Sequence, residues 1–424
     1  MPAVIVAIFI ITYLFIAVEH GIRVNKAATA LVGGVLCWTL YMLSASDKDA
    51  VLHELTLQLG DLSQILFFLL GAMTIVELID AHNGFEIITN QIKTKNKRKL
   101  LWIIALFSFI LSAVLDNLTT TIVMVSLLKK LITDKKQRLL YVGLIVIAAN
   151  AGGAWSPIGD VTTTMLWIGG RVSASNIVLQ LILPSLVCLV VPVLAMQFMV
   201  NGETPARRQQ SNDQEPLPPK SYQRIVFFIG ITALLFVPVF KALTNLPPFM
   251  AMMVALGAVW IIVELLYRKK EEARRYSVSN VIRRIDTPSI LFFLGILLAV
   301  SALQSTGQLK ALAVVLDNKL ENPNLIVMAI GLLSAIVDNV PLVAATMGMY
   351  GLNQYPQDHF FWEFLAYCTG TGGSVLIIGS AAGVAAMGIE KISFGWYLKK
   401  ISLLALAGYF AGAFVFLAIE TFFR

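Results

Sequence analysis

The sequence predicts an all-α polytopic membrane protein with two inverted repeats, each made of about five transmembrane helices, a re-entrant helical hairpin and a broken helix. The first observation is composition: 58% of the 424 residues are hydrophobic and 13% are charged, whereas charged residues make up about 25% of an average soluble domain. The second is that apolar runs of membrane-spanning length recur along the whole chain. The third is that one polar motif occurs twice, once in each half.

The first repeat is assigned to residues 1–200 and begins with three predicted helices. Apolar runs at residues 3–18, 27–43 and 62–79 are each long enough to cross a bilayer. Residues 44–60 are more polar, and we expect them to form a loop between the second and third helices.

Residues 100–128 form an apolar run, the body of a candidate hairpin at 100–130, that Asp116 and Asn117 interrupt at its centre. Lysine and arginine residues cluster at both ends of the run, at positions 93–99 and 129–138. Because Lys and Arg collect in the cytoplasmic loops of membrane proteins, both ends should lie on the cytoplasmic side. The run is therefore predicted to enter the membrane and turn back, with Asp116 and Asn117 at the tip of a hairpin. The alternative is a single tilted helix that carries a structural aspartate.

Residues 139–168 are predicted to form a broken helix. This stretch is too long for one simple span, and it contains the sequence Asn150-Ala-Gly-Gly-Ala-Trp-Ser-Pro-Ile-Gly-Asp160. Glycines and a proline interrupt helical hydrogen bonding, so we expect two half-helices here. A further span at residues 177–200 completes the repeat.

Residues 201–223, which are rich in Pro, Gln and Arg, are predicted to be a cytoplasmic linker. After the linker the same succession begins again over residues 224–424. The predicted elements of this second repeat are spans at 225–240, 250–266, 288–303 and 395–422, a basic loop at 268–284, an amphipathic connection at 304–324, a hairpin at 325–350 and a broken helix at 362–390.

The two halves carry matching motifs in the same order. Ser112-Ala-Val-Leu-Asp-Asn117 corresponds to Ser334-Ala-Ile-Val-Asp-Asn339 with an offset of 222 residues, and Gly152-Gly153 corresponds to Gly372-Gly373 with an offset of 220. Because each half has an odd number of predicted crossings, the second half should enter the membrane upside down. Transporters built from inverted repeats bind their substrate at the repeat interface.

The distribution of charge predicts the orientation of the chain. If both termini lie outside the cytoplasm, 26 of the 32 lysines and arginines fall in cytoplasmic loops, as the positive-inside rule requires. The same rule explains the net charge of +7, so we expect a multi-pass protein of the cell inner (plasma) membrane, in contact with the lipid bilayer and with no nucleic-acid partner. The cysteines are isolated from one another within apolar segments, which argues against a disulfide framework or a transition-metal site.

Three aspartates at broken or turning backbone are the candidate ion-binding and proton-binding groups: Asp116, Asp160 and Asp338. A charge at the bilayer centre costs about 2.5–3.5 kcal/mol, so such a carboxylate is expected to face a polar cavity, a cation or a proton. Neutral oxygen ligands lie close to these aspartates in the sequence or in the repeat scheme, namely Asn117, Thr119, Thr120, Asn150, Ser156, Asn339, Thr371, Ser374 and Ser380. Hard oxygen ligands favour an alkali cation, and we assign sodium to Asp116, Asn117, Asp160, Asp338 and Asn339. The alternative is that a single aspartate is structural, and that the threonines at 119–121 and 162–164 only cap or bond to their own helices.

The stretches Leu115-Asp-Asn-Leu-Thr-Thr120 and Asn150-Ala-Gly-Gly-Ala-Trp-Ser-Pro-Ile-Gly-Asp-Val-Thr-Thr163 resemble the two signatures of the NhaD-type sodium/proton antiporters of the ion transporter superfamily, which are related to arsenite and dicarboxylate carriers. The resemblance covers nearly the whole chain. It implies a homodimer of scaffold helices, a mobile transport domain made of the hairpins and broken helices, and an elevator-like movement. In the dicarboxylate carriers the hairpin tips read Ser-Asn-Thr. Here aspartate replaces that serine at both tips, which adds negative charge and disfavours an anionic substrate.

The sequence therefore predicts a secondary transporter, not an enzyme, that exchanges sodium, with lithium as a further candidate, for protons. Asp116 and Asp338 would bind cation and proton in alternation, with Asp160 as a third carrier or ligand, and no cofactor would be needed besides these two substrates. The alternative is a sodium-coupled carboxylate or oxyanion carrier on the same fold. A basic residue within the membrane or paired Ser-Asn-Thr tips would favour that alternative, and the sequence shows neither. A membrane protease is disfavoured, because no histidine is predicted at membrane depth.

Overall fold

Helices make up all the regular structure in the part of the chain that the computed structural model describes, which is residues 2–17, 24–89, 94, 96–132, 134–200, 202, 218–268 and 276–423. Eight helices within these ranges are long and apolar enough to cross a membrane, judged by length and composition. The predicted all-α polytopic class is thereby confirmed. Most of the predicted linker at 201–223, and residues 269–275 of the predicted basic loop, lie outside the described residues.

The helices of the first half follow the predicted order. They are α1 Pro2–Ala17, α2 Lys26–Ser44, α3 Lys48–Ala81, α4 Glu86–Thr89, α5 Lys97–Ser112, α6 Asn117–Leu131, α7 Lys135–Ala154, α8 Val161–Ile168 and α9 Ala174–Met196.

The helices of the second half repeat the succession of long, hairpin and broken elements. They are α10 Lys220–Thr244, α11 Pro248–Tyr267, α12 Val278–Ile282, α13 Thr287–Ser305, α14 Gln308–Leu320, α15 Pro323–Leu333, α16 Asn339–Met349, α17 Phe360–Gly372, α18 Ala381–Glu390, α19 Phe394–Tyr397 and α20 Leu403–Phe423, with a π-helical turn, Leu398–Ser402, joining the last two. The inversion of one half relative to the other stays a prediction.

The predicted loop at residues 44–60 is wrong over most of its length, because α3 begins at Lys48 and continues without a break for 34 residues. The side chain of Asp47 caps this helix by accepting a hydrogen bond of 3.0 Å from the backbone N–H of Ala50. The residues that follow mix polar and apolar side chains, and many are good helix formers such as Leu, Glu, Gln and Ala. Polarity alone therefore did not mark the end of the helix.

Both candidate hairpins are pairs of helices that meet at the aspartates. In the first pair α5 ends at Ser112 and α6 begins at Asn117. In the second pair α15 ends at Leu333 and α16 begins at Asn339. Each aspartate is the N-cap of the second arm and accepts a backbone hydrogen bond from its first turn, so the same residue that interrupts the apolar run also starts the helix after it.

The broken helices are α7–α8 and α17–α18, and each interruption lies beside a hairpin. The second arm of the first hairpin, α6, packs against α18, and the second arm of the other hairpin, α16, packs against α8. The first halves of the two broken helices, α7 and α17, also contact each other. As a result, both hairpin tips and both helix breaks come together at one place in the interior.

Two glycines of the broken helices allow this close approach. A Cβ atom at Gly152 would overlap the backbone of Phe109 in α5, and one at Gly372 would overlap the carbonyl oxygen of Gly331 in α15. These positions are related by the 220-residue offset found in the sequence. Glycine is needed here because the first arm of each hairpin lies in direct contact with the backbone of its broken helix.

Candidate functional site

Asp160 lies at the centre of the region where the helix breaks meet the hairpins, and only 2% of its surface is exposed. It is the N-cap of α8, where its Oδ1 atom accepts hydrogen bonds from the backbone N–H of Thr162 at 2.9 Å and from the Thr162 hydroxyl at 2.8 Å. The other carboxylate oxygen, Oδ2, is left to face the hairpins. One oxygen therefore holds the start of the helix while the second is available to partners from elsewhere.

Asn117 and Asn339, the asparagines that follow the two tip aspartates, both donate to Asp160. The Nδ2 atom of Asn117 lies 2.6 Å from Asp160 Oδ2. The Nδ2 atom of Asn339 lies 3.5 Å from each carboxylate oxygen. A single carboxylate of the first broken helix thus joins the tips of both hairpins.

Asn150 extends this network to the second broken helix. Its Oδ1 atom accepts from Asn117 Nδ2 at 3.4 Å, and its Nδ2 atom donates to the hydroxyl of Ser380 at 3.0 Å. Ser380 is the N-cap of α18 and accepts from the backbone N–H of Gly383 at 3.2 Å, which is the position in the second repeat that Asp160 holds in the first. The structure therefore brings together the predicted site residues Asn117, Asn150, Asp160, Asn339 and Ser380.

The tip aspartates themselves have different partners. Asp116 binds within its own helix turn, where its two oxygens accept from the backbone N–H of Thr119 at 2.7 Å and from the Thr119 hydroxyl at 2.8 Å. Asp338 accepts a weaker bond of 3.3 Å from the backbone N–H of Val340. Its Oδ2 atom lies 3.8 Å from the Nζ atom of Lys26.

Lys26 is the site residue that the sequence did not predict. The sequence places it in a short turn between the spans predicted at 3–18 and 27–43, on the cytoplasmic side. In the structure its ammonium group lies beside Asp338 and 4.4 Å from the centre of the Phe292 ring. The expectation that no basic side chain reaches the site is therefore wrong. Asn25 caps α2 immediately before this lysine, but a cap followed by a lysine is common at the ends of membrane helices and could not have singled it out.

A cavity of about 80 Å³ connects these groups. Asp116, Asp160, Asp338 and Lys26 all line it, together with apolar side chains of α3 and α13. A water molecule occupies about 30 Å³ of liquid, so the cavity has room for a small cation with about two waters. Three carboxylates and one ammonium group face this space, and negative charge is in excess.

Four of the predicted site residues bond neither to the carboxylates nor to the network of Asn117, Asn150 and Ser380. The Ser156 hydroxyl donates to the carbonyl of Ala113 at 2.5 Å, which ties the break in the first broken helix to the turn of the first hairpin. The hydroxyls of Thr371 and Ser374 bond to carbonyls of their own segment. The Thr120 hydroxyl is buried and has no hydrogen-bond partner among the described residues. Thr371 and Ser374 therefore donate within their own segment, and their role as cation ligands stays a prediction.

The N-termini of four half-helices face this region, because their N-caps are Asp116, Asp160, Asp338 and Ser380. The unpaired N–H groups of a helix start favour negative charge, so three of these helices stabilise a capping carboxylate. The arrangement can therefore hold several anionic oxygens close together and offer them to one small cation or to protons. Carboxylate, amide and hydroxyl oxygens are the ligands that hard cations prefer.

Comparison with known proteins gives a consistent set of relatives. Residues 8–368 match the CitMHS family, which is described as a citrate transporter family. The chain is 48% identical to sodium/proton antiporter 1 of Arabidopsis thaliana over 416 residues, which covers 97% of this chain and 72% of that protein. It is 46% identical to sodium/proton antiporter 2 of the same plant, covering 98% and 99% of the two chains.

A bacterial relative and a solved structure extend the comparison. The Na(+)/H(+) antiporter NhaD of Alkalimonas amylolytica is 30% identical over 445 residues, covering 98% of this chain and 90% of that protein. The crystal structure of the YdaH transporter of Alcanivorax borkumensis superimposes with a TM-score of 0.57 and covers 90% of each chain at 13% identity. This last likeness concerns the fold alone.

Proposed function

The chain belongs to the CitMHS citrate-transporter family, among the NhaD-type sodium/proton antiporters, and on this premise we propose that it exchanges sodium ions for protons across a membrane. The chain is then a secondary transporter with sodium and protons as its substrates. We further propose that it is a homodimer of the cell inner (plasma) membrane with both termini outside the cytoplasm, as the family resemblance and the distribution of lysine and arginine suggest.

The observation that carries the proposed site is that one carboxylate, Asp160, joins both hairpin tips. Asn117 and Asn339 donate to it from opposite hairpins. When a sodium ion binds among the oxygens of the site, it replaces these amide donors as the partner of Asp160. The amides can then rotate and present their Oδ1 atoms to the cation, so sodium binding and the packing of the two tips are linked.

Sodium and protons compete for the same oxygens in this proposal. A carboxylate that carries a proton is neutral and is a poor ligand for sodium, and a bound sodium ion repels a proton from the carboxylate. With Asp116 and Asp338 on the walls of the same cavity, the site loads either cation or protons. Exchange then needs no separate proton relay.

Two observations favour the alternative, a sodium-coupled carboxylate carrier: the description of the family as citrate transporters and the presence of Lys26 in the cavity. Two others oppose it. The charge of Lys26 is matched by Asp338 at 3.8 Å, which leaves Asp116 and Asp160 to repel an anion. The cavity of about 80 Å³ is also far below the roughly 300–1,000 Å³ of typical small-molecule pockets. Cation exchange is the better reading.

The proposal is tested in proteoliposomes that contain a pH-sensitive dye. We expect Asp116→Asn and Asp338→Asn each to abolish sodium-driven proton movement, because asparagine keeps the shape and loses the proton site. Asp47→Asn is the matched control, since Asp47 is also an N-cap aspartate but lies on an exposed helix start. Exchange at near wild-type rate in either tip variant, or sodium-driven uptake of labelled citrate by the wild type, would contradict the proposal.

A further inference from the structure

A second cavity, of about 340 Å³, lies next to the site cavity. We name it the polar vestibule, after the side chains Gln58, Asp61, Ser301 and Gln304 that line it. Arg171 lies on its wall with its guanidinium turned toward the carbonyl of Met347 and the ring of Trp362. The amide, hydroxyl and carboxylate oxygens of this lining can take the place of water around a sodium ion.

The polar vestibule and the site cavity share four lining helices, α3, α8, α13 and α16. On each helix, a residue that lines the site cavity stands four positions from one that lines the vestibule, which is about 6 Å along the axis. The pairs, with the site residue first, are Leu69 and Ile65, Val161 and Met165, Phe293 and Leu297, and Val340 and Ala344. The order is reversed on α3, so this helix runs opposite to the other three.

A layer of apolar side chains separates the two cavities. Its members, which we name the apolar layer, are Ile65, Leu69, Met165, Leu297 and Val340, and they belong to one buried cluster. None is more than 7% exposed. Ile65, Met165 and Leu297 line the vestibule, whereas Leu69 and Val340 line the site cavity. The layer is therefore about two side chains thick, with one side chain facing each cavity.

From this series of cavities we infer that the polar vestibule is one half of the ion pathway and that the apolar layer is its gate. With the termini outside the cytoplasm, as proposed above, the start of α3 and the vestibule beside it face outward. The inference rests on the proposed function, because it assigns the route of the same cations and protons. The layer contains no oxygen that could replace the hydration shell of a cation, and moving an ion through apolar surroundings is strongly unfavourable. Narrow hydrophobic constrictions close ion pathways in this way, by excluding water.

The first test is the sidedness of thiol labelling. We expect Ala344→Cys, in the vestibule, and Met73→Cys, in the site cavity, to react with a membrane-impermeant maleimide from opposite sides of oriented vesicles. Wild-type protein is the background control, since Cys37, Cys188 and Cys368 are at most 1% exposed. Labelling of both positions from the same side would overturn the inference.

The second test removes the apolar character of the layer. We expect Leu297→Ser to allow a sodium-independent proton leak in proteoliposomes, at least threefold above wild type, because a hydrated layer connects the two cavities. Leu291→Ser is the matched control, with the same substitution on the same helix at a position that is 40% exposed, and it should leak no more than wild type. A correctly inserted Leu297→Ser protein without a leak would overturn the gate.

These tests separate the inference from the proposed function. Labelling does not require transport. Opposite-side labelling in a protein that fails to exchange sodium for protons would therefore support the inferred pathway and contradict the proposed exchange activity. Normal exchange combined with same-side labelling would do the reverse.

Discussion

Asp160 makes more contacts within the candidate site than either tip aspartate, because it accepts hydrogen bonds from the asparagines of both hairpins. We predict that Asp160→Asn lowers the maximal rate of sodium-driven proton transport at least tenfold. Asparagine can still cap α8, so helicity and membrane insertion should be unchanged, and the loss should come from the missing charge and proton site.

The matched control for Asp160→Asn is Asp134→Asn. Asp134 is an exposed N-cap that accepts from the backbone N–H of Lys136 at 3.0 Å, so it tests the effect of the same substitution on capping alone. Transport at more than half the wild-type rate in Asp160→Asn would mean that the tip aspartates suffice and that Asp160 only holds the hairpins in place.

The ammonium group of Lys26 forms an ion pair with Asp338, at a place where a bound sodium ion would also interact with that carboxylate. This ion pair leads to a second prediction. The pair is partly exposed, with 28% and 19% of the two side chains accessible, so the interaction should contribute up to about 1 kcal/mol. We predict that Lys26→Met lowers the sodium concentration for half-maximal exchange by about twofold to fivefold, because sodium no longer competes with the ammonium group.

Two further variants identify the cause of that shift. Lys26→Arg keeps the charge and should stay close to wild type, and Lys48→Met removes a lysine from the exposed start of α3 and should have no effect. An unchanged or higher half-maximal concentration in Lys26→Met would show that Lys26 does not compete with sodium.

Candidate site residues could be predicted from the sequence where a polar or ionisable side chain lies within an apolar run. An aspartate or asparagine in an apolar run is conspicuous, so Asp116, Asn339 and their neighbours could be chosen as candidates from the sequence. Lys26 could not, because a lysine at the end of an apolar run is ordinary. Its position beside Asp338 depends on how far the second hairpin reaches, which no local pattern encodes.

At the scale of helices, a buried ion pair joins the first hairpin and both broken helices. The guanidinium of Arg138, in α7, donates to both carboxylate oxygens of Glu390, in α18, at 3.0 Å. Lys129, in α6, lies 3.8 Å from the same carboxylate. Glu390 is 3% exposed, so loss of its charge would leave the guanidinium without its anion in a place that water does not reach freely.

We predict that Glu390→Gln lowers the melting temperature of the purified protein by about 5 °C or more. Removing one partner of a buried pair costs about 3–5 kcal/mol, which corresponds to this shift for a large domain. The measurement is thermal unfolding in detergent. Glu264→Gln is the control, since Glu264 accepts a hydrogen bond from the indole N–H of Trp260 at an exposed position, and a single hydrogen bond contributes about 0.5–1.5 kcal/mol net. Equal melting temperatures for the two variants would refute the role of the pair.

The ends of the helices were predicted correctly where an apolar run stops abruptly, and incorrectly where apolar and polar residues alternate without a clear stop. The breaks at Asp116 and Asp338 are marked by an ionisable residue, and those of the broken helices by glycine. Residues 48–60 lack both signals, and their polar side chains were taken for a loop although they continue α3. Thr371 and Ser374 were chosen as ligands by position, but their hydroxyls bond to their own backbone, a choice that depends on rotamers and not on sequence.

At the scale of the whole molecule, the predicted inverted repeats place both ends of the first hairpin on one side of the membrane and both ends of the second hairpin on the other side. We expect single cysteines at Lys99 and Lys135 to react with an impermeant reagent from one side, and those at Lys319 and Asn353 to react from the other. All four positions are exposed, and each pair flanks one candidate hairpin. Opposite-side labelling within either pair would mean that the run between them crosses the membrane once.

The uninterrupted length of α3 has a mechanical consequence. At about 1.5 Å per residue it is a rod of about 51 Å, and its midpoint falls between Gln64 and Ile65. Gln58 and Asp61 on one arm line the polar vestibule, whereas Phe68 and Met73 on the other arm line the site cavity. If α3 tilts by about 5° around its midpoint at the apolar layer, its two ends move by about 2 Å in opposite directions. If α3 moves as one rigid body about that point, one cavity widens only as the other narrows, so the inferred pathway does not open at both ends at once.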